Sequence, residues 1–87
     1  MTFEDLLFKD FIENGDEHAF EKLIELVDTW LFAVIYTFIC DENETDEMIR
    51  QVWKQVIYNK YDIYKKRSHI IFEIFKITKR LLFEVVR

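Results

Sequence analysis

The chain has 87 residues, of which 51% are hydrophobic, 33% charged and 17% aromatic, with one glycine and no proline. That length accommodates one domain, and the apolar content is rich enough for a compact core, which excludes a disordered chain. With a net charge of −5, no apolar run near the roughly 20 residues of a membrane helix and no basic leader before a cleavage motif, the expected setting is cytoplasmic, with no membrane partner.

Charge is segregated along the chain. Residues 1 to 47 hold fourteen Asp and Glu against Lys9 and Lys22, a net of −12, while residues 48 to 87 hold ten Lys and Arg against Asp62, Glu73 and Glu84, a net of +7. An acidic half suits a basic protein surface, and a basic half suits phosphate. The single cysteine, Cys40, forms no internal disulfide and is expected to be an inert buried thiol.

The hydrophobic pattern has helical period throughout, and the expected fold is all-α, a small bundle of four helices. A first helix within 1–14 places Phe3, Leu6, Leu7, Phe8 and Phe11 on one stripe and stops at Asn14-Gly15, where glycine admits the left-handed closing residue. Asp16 caps a central helix over 16–40 whose inner positions are Phe20, Leu23, Ile24, Val27, Leu31, Val34, Ile35 and Phe38. Its final stretch, Trp30 to Cys40, is apolar nearly all round and is expected to be wrapped by neighbours. The acidic run Asp41 to Glu44 is expected as a solvated turn, and Thr45 as the N-cap of a third helix over 45–58. That helix turns Met48, Ile49, Val52, Trp53, Val56 and Ile57 inward and Glu47, Arg50, Gln51, Lys54 and Gln55 outward.

Between residues 59 and 67 the period breaks into a loop that interleaves aromatic and basic residues, and long loops inside small domains usually have a function. Ser68 is the expected cap of a last helix over 68–87, with Ile71, Ile74, Phe75, Thr78, Leu81, Leu82 and Val85 facing in. Ile70, Phe72, Ile77, Phe83 and Val86 widen its apolar surface beyond what one core contact requires, which implies a covering partner. Catalytic and metal chemistry find no support: His18 and Glu21 alone make no metal site, and neither Cys40 nor Ser68 has a general base near it in sequence. No catalytic residue, metal or cofactor is expected.

The order of these elements resembles a known family. Asn14-Gly15-Asp16-Glu17-His18-Ala19-Phe20-Glu21-Lys22-Leu23 is similar to the opening of region 2 of bacterial sigma factors of the extracytoplasmic-function type. Asp46-Glu47-Met48-Ile49-Arg50-Gln51-Val52-Trp53 resembles that family's acidic-acidic-Leu-Val-Gln-Glu-Val-Phe helix. Phe75 to Arg87 resembles its Tyr-Arg-Ile-Ala-Arg-Asn-Leu-Ala-Ile-Asp-Tyr-Leu-Arg ending. The resemblance implies a transcription-initiation module. Its third helix, through Glu47, Arg50, Gln51, Lys54 and Gln55, would grip the β′ clamp helices of core RNA polymerase. The loop and last helix would open and read the promoter −10 element.

For promoter DNA the residue types agree. Tyr58, Tyr61 and Tyr64 suit stacking of unpaired bases, worth roughly 1–3 kcal/mol per base, and Lys60, Lys65, Lys66, Arg67, Lys76, Lys79 and Arg80 suit phosphate. Arg50, Glu73 and Arg80 depart from the family's usual glutamine, tryptophan and asparagine. A complete member of the family carries a second domain, which reads the −35 element, and the sequence here runs to Arg87. The chain is therefore expected to be either part of a longer sigma factor or a standalone region 2 subunit whose partner supplies that domain, with an anti-sigma factor as a further expected partner. The competing reading is a protein-interaction bundle without DNA binding, either a sigma-derived co-regulator or a domain that dimerises through its last helix.

Overall fold

The structure is a computed structural model that describes residues 1–85. Its elements in chain order are α1 (Phe3–Asn14), α2 (Glu17–Ile39), α3 (Glu42–Tyr58), α4 (Lys60–Lys65) and α5 (Ile70–Val85), giving five helices rather than four. Val86 and Arg87, the first of which belongs to the expected surplus apolar surface, lie outside the described residues.

Local chemistry explains most boundaries. Thr2 and Asp5 form a reciprocal capping box at the start of α1, and Gly15 closes that helix at φ 65. Asp16 accepts the Ala19 N–H to start α2. The helix ends at Cys40, whose φ of 58 is left-handed and whose N–H donates to the Tyr36 carbonyl at 2.8 Å. A cysteine bears that conformation at a steric cost that glycine avoids.

Two expected caps are displaced. Asp41, not Thr45, caps α3, its Oδ1 accepting the Glu44 N–H at 2.9 Å, so Glu42 and Glu44 form the first helical turn instead of a solvated turn. An aspartate is as good a cap as threonine, and acidic side chains there favour the helix dipole. Thr45 is left wholly buried, with its hydroxyl donating back to the Asp41 carbonyl at 2.7 Å. At α5 the first N–H, that of Ile70, donates to Asp5 of α1 at 2.7 Å rather than to Ser68.

The loop expected over 59–67 is mostly helical. Asn59 joins α3 to α4, accepting the Ile63 N–H at 2.9 Å while its side chain donates to the Gln55 carbonyl at 3.0 Å. No proline or glycine interrupts the stretch, and Ile63 reaches the core, so one apolar anchor fixes a single short helix there.

The core comprises Phe8, Phe20, Leu23, Val27, Leu31, Ile35, Met48, Val52, Trp53, Val56, Ile63, Ile70, Ile74 and Leu82. Phe11 stacks on Phe20 at 4.3 Å between ring centroids, and Phe20 meets Trp53 edge-on at 5.6 Å. The Trp53 indole N–H donates to Asp28 at 2.7 Å. Together these contacts hold α1, α2 and α3 as one body.

Several expected core positions face solvent. Phe3, Leu6, Phe38, Ile57, Phe75 and Val85 are exposed, and in the last third of α2 only Leu31 and Ile35 are fully buried, while Trp30, Tyr36 and Phe38 are exposed. The buried stripe of α5 is Ile70, Ile74, Thr78 and Leu82, with Glu73 at its edge, a rotation that carries Phe75 outward. Cys40 is exposed rather than buried.

Candidate nucleic-acid and partner-binding surface

The outer face of α3 carries Glu47, Arg50 and Lys54 in solvent, with Gln51 half-buried beside them. Glu47 is the hub. It accepts from Gln51 Nε2 at 3.1 Å and from Arg50 Nε at 3.2 Å, and the Gln51 bond, followed by the Arg50 charge, holds its carboxyl below the ordinary range. Gln55 does not join this face. It turns to α5, where Arg80 donates to its Oε1 at 3.3 Å, so it forms a seam between the two candidate surfaces.

The residues expected on DNA divide into two groups. Tyr58 is 87% exposed at the end of α3, and Tyr61 is exposed on α4. Near them a cleft of about 530 Å³ opens between Asn59, α4 and α5, lined by Lys66, Lys76 and Arg80 together with Asp62 and Glu73. Lys79 lies one turn further along the exposed side of α5. Lys76 sits 5.2 Å over the ring of Phe72, and Lys79 5.8 Å over that of Phe83, so two cations lie between two aromatic rings along one helix surface. Phe72 and Phe83 were legible as surplus apolar residues, and their four-residue spacing to Lys76 and from Lys79 is the signal that assigns them to the basic surface.

The second group lies toward α1. The Tyr64 hydroxyl donates to Glu13 and its ring, half-buried, packs edge-on against Phe8 at 6.3 Å, so it is turned toward α1 and away from Tyr58 and Tyr61; the Glu13 bond raises its pKa. Lys60 is half-buried over the rings of Phe11 and Tyr61, at 5.1 Å from each. Lys65 and Arg67 border a separate cavity of about 610 Å³ with Asp5, Lys9, Glu13 and His69. Packing of α4 on α1 therefore divides what the sequence places in one loop.

Two carboxylates have structural weight through partners distant in sequence. Asp5 accepts from Thr2 and from Ile70, and its Oδ2 lies 2.6 Å from His69 Nδ1. Partial burial pushes the Asp5 carboxyl up, but the bonds from Ile70, His69 and Thr2 outweigh it and hold the pKa down at about 2. Glu73 is only 3% exposed. Lys66 Nζ donates to its Oε1 at 3.1 Å, and Lys76 Nζ lies 2.9 Å from its Oε2, placed for charge pairing rather than as an aligned hydrogen bond. Burial opposes ionisation of Glu73, yet the two ammonium groups prevail and its pKa is lowered.

A smaller apolar notch lies between Ile39, Met48, Leu81 and Val85, rimmed by Glu44, Glu47 and Glu84. His18 and Glu21 pair at 3.6 Å in solvent, and no metal-ligating cluster of three or more His, Cys, Asp or Glu occurs among the described residues. No helix among the described residues is long and apolar enough to cross a membrane. No family model, curated protein or solved structure matches the chain.

Proposed function

We propose that this chain is a transcription-initiation module of the sigma region 2 kind. In this reading the outer face of α3, through Glu47, Arg50, Gln51 and Lys54, seats on the β′ clamp helices of core RNA polymerase. The surface formed by Tyr58, Tyr61, Lys79 and Arg80, with Lys76 beside them, holds the unpaired strand of the promoter −10 element. The observation that carries the reading is the pairing of Lys76 with Phe72 and of Lys79 with Phe83 along the exposed side of α5, beside two exposed tyrosines. Aromatic platforms flanked by cations are what an unpaired strand requires, since bases stack and phosphates need positive charge. Gln55 and Arg80, bonded to each other, make the two surfaces adjoin, so polymerase and strand would share an edge.

The test is fluorescence anisotropy with a labelled single-stranded −10 oligonucleotide at low salt. A double variant, Lys79→Glu with Phe83→Ala, should weaken binding about tenfold or more, in line with the loss of one stacked base and one phosphate contact, with little change in melting temperature. Undiminished binding by that variant would remove the α5 surface from the account.

A second reading, a protein-interaction bundle without DNA binding, has its own support. Lys66 and Lys76 are already engaged on Glu73, and Trp30 and Phe75 form an exposed aromatic pair at 6.2 Å that suits a protein partner such as an anti-sigma factor. Binding to a clamp-helix fragment without any oligonucleotide binding at low salt would select it.

A further inference from the structure

Glu73 stands out among the charged residues of this chain. It belongs to the buried side of α5, between Ile70 and Ile74, where an apolar residue of similar size would serve the core at least as well. Its carboxylate instead draws in two lysines from different elements, Lys76 one turn along α5 and Lys66 from the end of α4. Both lysines are half-exposed at the cleft that Arg80 also lines, within the surface proposed to meet the strand.

We propose that Glu73 is an internal counter-anion that withholds Lys66 and Lys76 from nucleic-acid phosphate and so limits how tightly the α4–α5 cleft binds a strand. The inference rests on the reading of this surface as one that meets phosphate. Its physical basis is the cost of stranding a charge. Were a phosphate to draw both ammonium groups away, the buried carboxylate would be left uncompensated, which a folded protein tolerates poorly. The lysines therefore stay on Glu73, and Arg80 and Lys79 are the cations of this surface left for phosphate. Asp62, the other acid lining the cleft, adds to the restraint. A limit of this kind keeps a small basic module from settling on any nucleic acid it meets, leaving selection to base stacking and to the polymerase.

Glu73→Gln tests this, because it preserves shape while releasing both lysines. Binding is measured across a salt series with a labelled single-stranded oligonucleotide of mixed sequence, and separately with inorganic polyphosphate. Two freed lysines should steepen the slope of log affinity against log salt by about 1.4 and tighten binding at low salt by about tenfold. Adding Lys66→Met and Lys76→Met to that variant should abolish both gains. If Glu73 has a purely structural role, the variant instead melts earlier with an unchanged slope or weaker binding, and the inference is overturned. It is also overturned if neither protein binds either the oligonucleotide or polyphosphate.

Tighter polyphosphate binding by the variant, with no oligonucleotide binding by either protein, would uphold the counter-anion role while removing the nucleic-acid reading. Lys66→Met alone gives an independent check that leaves the core carboxylate paired with Lys76. Its slope should equal that of the unaltered chain, because Lys66 is already withheld, and a decrease of about 0.7 would contradict the inference.

Discussion

Replacing Asp5 with alanine tests the junction between the start of α1 and the start of α5. The carboxylate accepts the Thr2 N–H at 3.1 Å and the Ile70 N–H at 2.7 Å, and it faces His69 at 2.6 Å. One side chain thus completes the cap of α1 and supplies the acceptor that α5 lacks locally. The gap between the ordinary carboxyl value of 3.8 and about 2 corresponds to about 2 kcal/mol, at about 1.36 kcal/mol per pH unit. The estimate is usable because the side chain is only 12% exposed. It also matches the upper end of the roughly 0.5–2 kcal/mol measured for lost N-caps. In a domain of this size about 2 kcal/mol lowers the melting temperature by about 8–16 °C.

The pH dependence has a fixed sign. Because the folded carboxyl titrates below the unfolded one, its stabilisation is complete above about pH 4 and is lost as pH falls through about 2. Thermal melts of the unaltered chain and Asp5→Ala, followed by far-ultraviolet circular dichroism, should differ most near neutral pH and converge in acid. A loss below about 0.5 kcal/mol at neutral pH, or a difference that persists undiminished in strong acid, would refute the reasoning.

Other consequences are equally direct. Tyr58→Ala and Tyr61→Ala should each weaken oligonucleotide binding about tenfold with unchanged melting, whereas Tyr64→Phe, which loses its bond to Glu13, should leave anisotropy titrations unaltered. Asp28→Ala should cost about 1–3 kcal/mol in urea unfolding by orphaning the buried Trp53 indole N–H. Cys40→Gly should raise stability by about 1 kcal/mol because it relieves a left-handed backbone, and in the folded protein the Cys40 thiol should react readily with a disulfide reagent.

The helices were legible wherever the apolar period was continuous. Phe20, Leu23, Val27, Leu31 and Ile35 mark the buried line of α2, and Met48, Val52, Trp53 and Val56 that of α3, as spacing requires. Gly15 and Asp16 announce their boundary because their conformational and hydrogen-bonding roles are local. What local pattern does not carry is the choice among apolar residues when too many are present. Phe75 follows the period as well as Ile74 does, and only the position of α5 against α2 and α3 decides that Ile74 enters the core. The same limit explains α4: one buried isoleucine and contact with α1 convert an aromatic-basic stretch into a helix and turn Tyr64 away from Tyr58 and Tyr61.

The polar site was partly legible for a related reason. Exposed Glu47, Arg50 and Lys54 follow from helical period alone, and so do Lys76, Lys79 and Arg80. Asp5 and Glu73 gain their significance from partners that folding brings to them, His69 and Ile70 in one case and Lys66 in the other.

The central claim, that this bundle belongs on the polymerase, is tested most directly by calorimetric titration of the chain with a clamp-helix fragment of the polymerase β′ subunit, beside an Arg50→Glu variant. The account predicts micromolar binding that the charge reversal abolishes, since it breaks the Glu47–Arg50 pair at 3.1 Å and inverts the charge at the centre of the outer α3 face. Equal binding by both proteins, or none by the unaltered chain at high concentration, would contradict it.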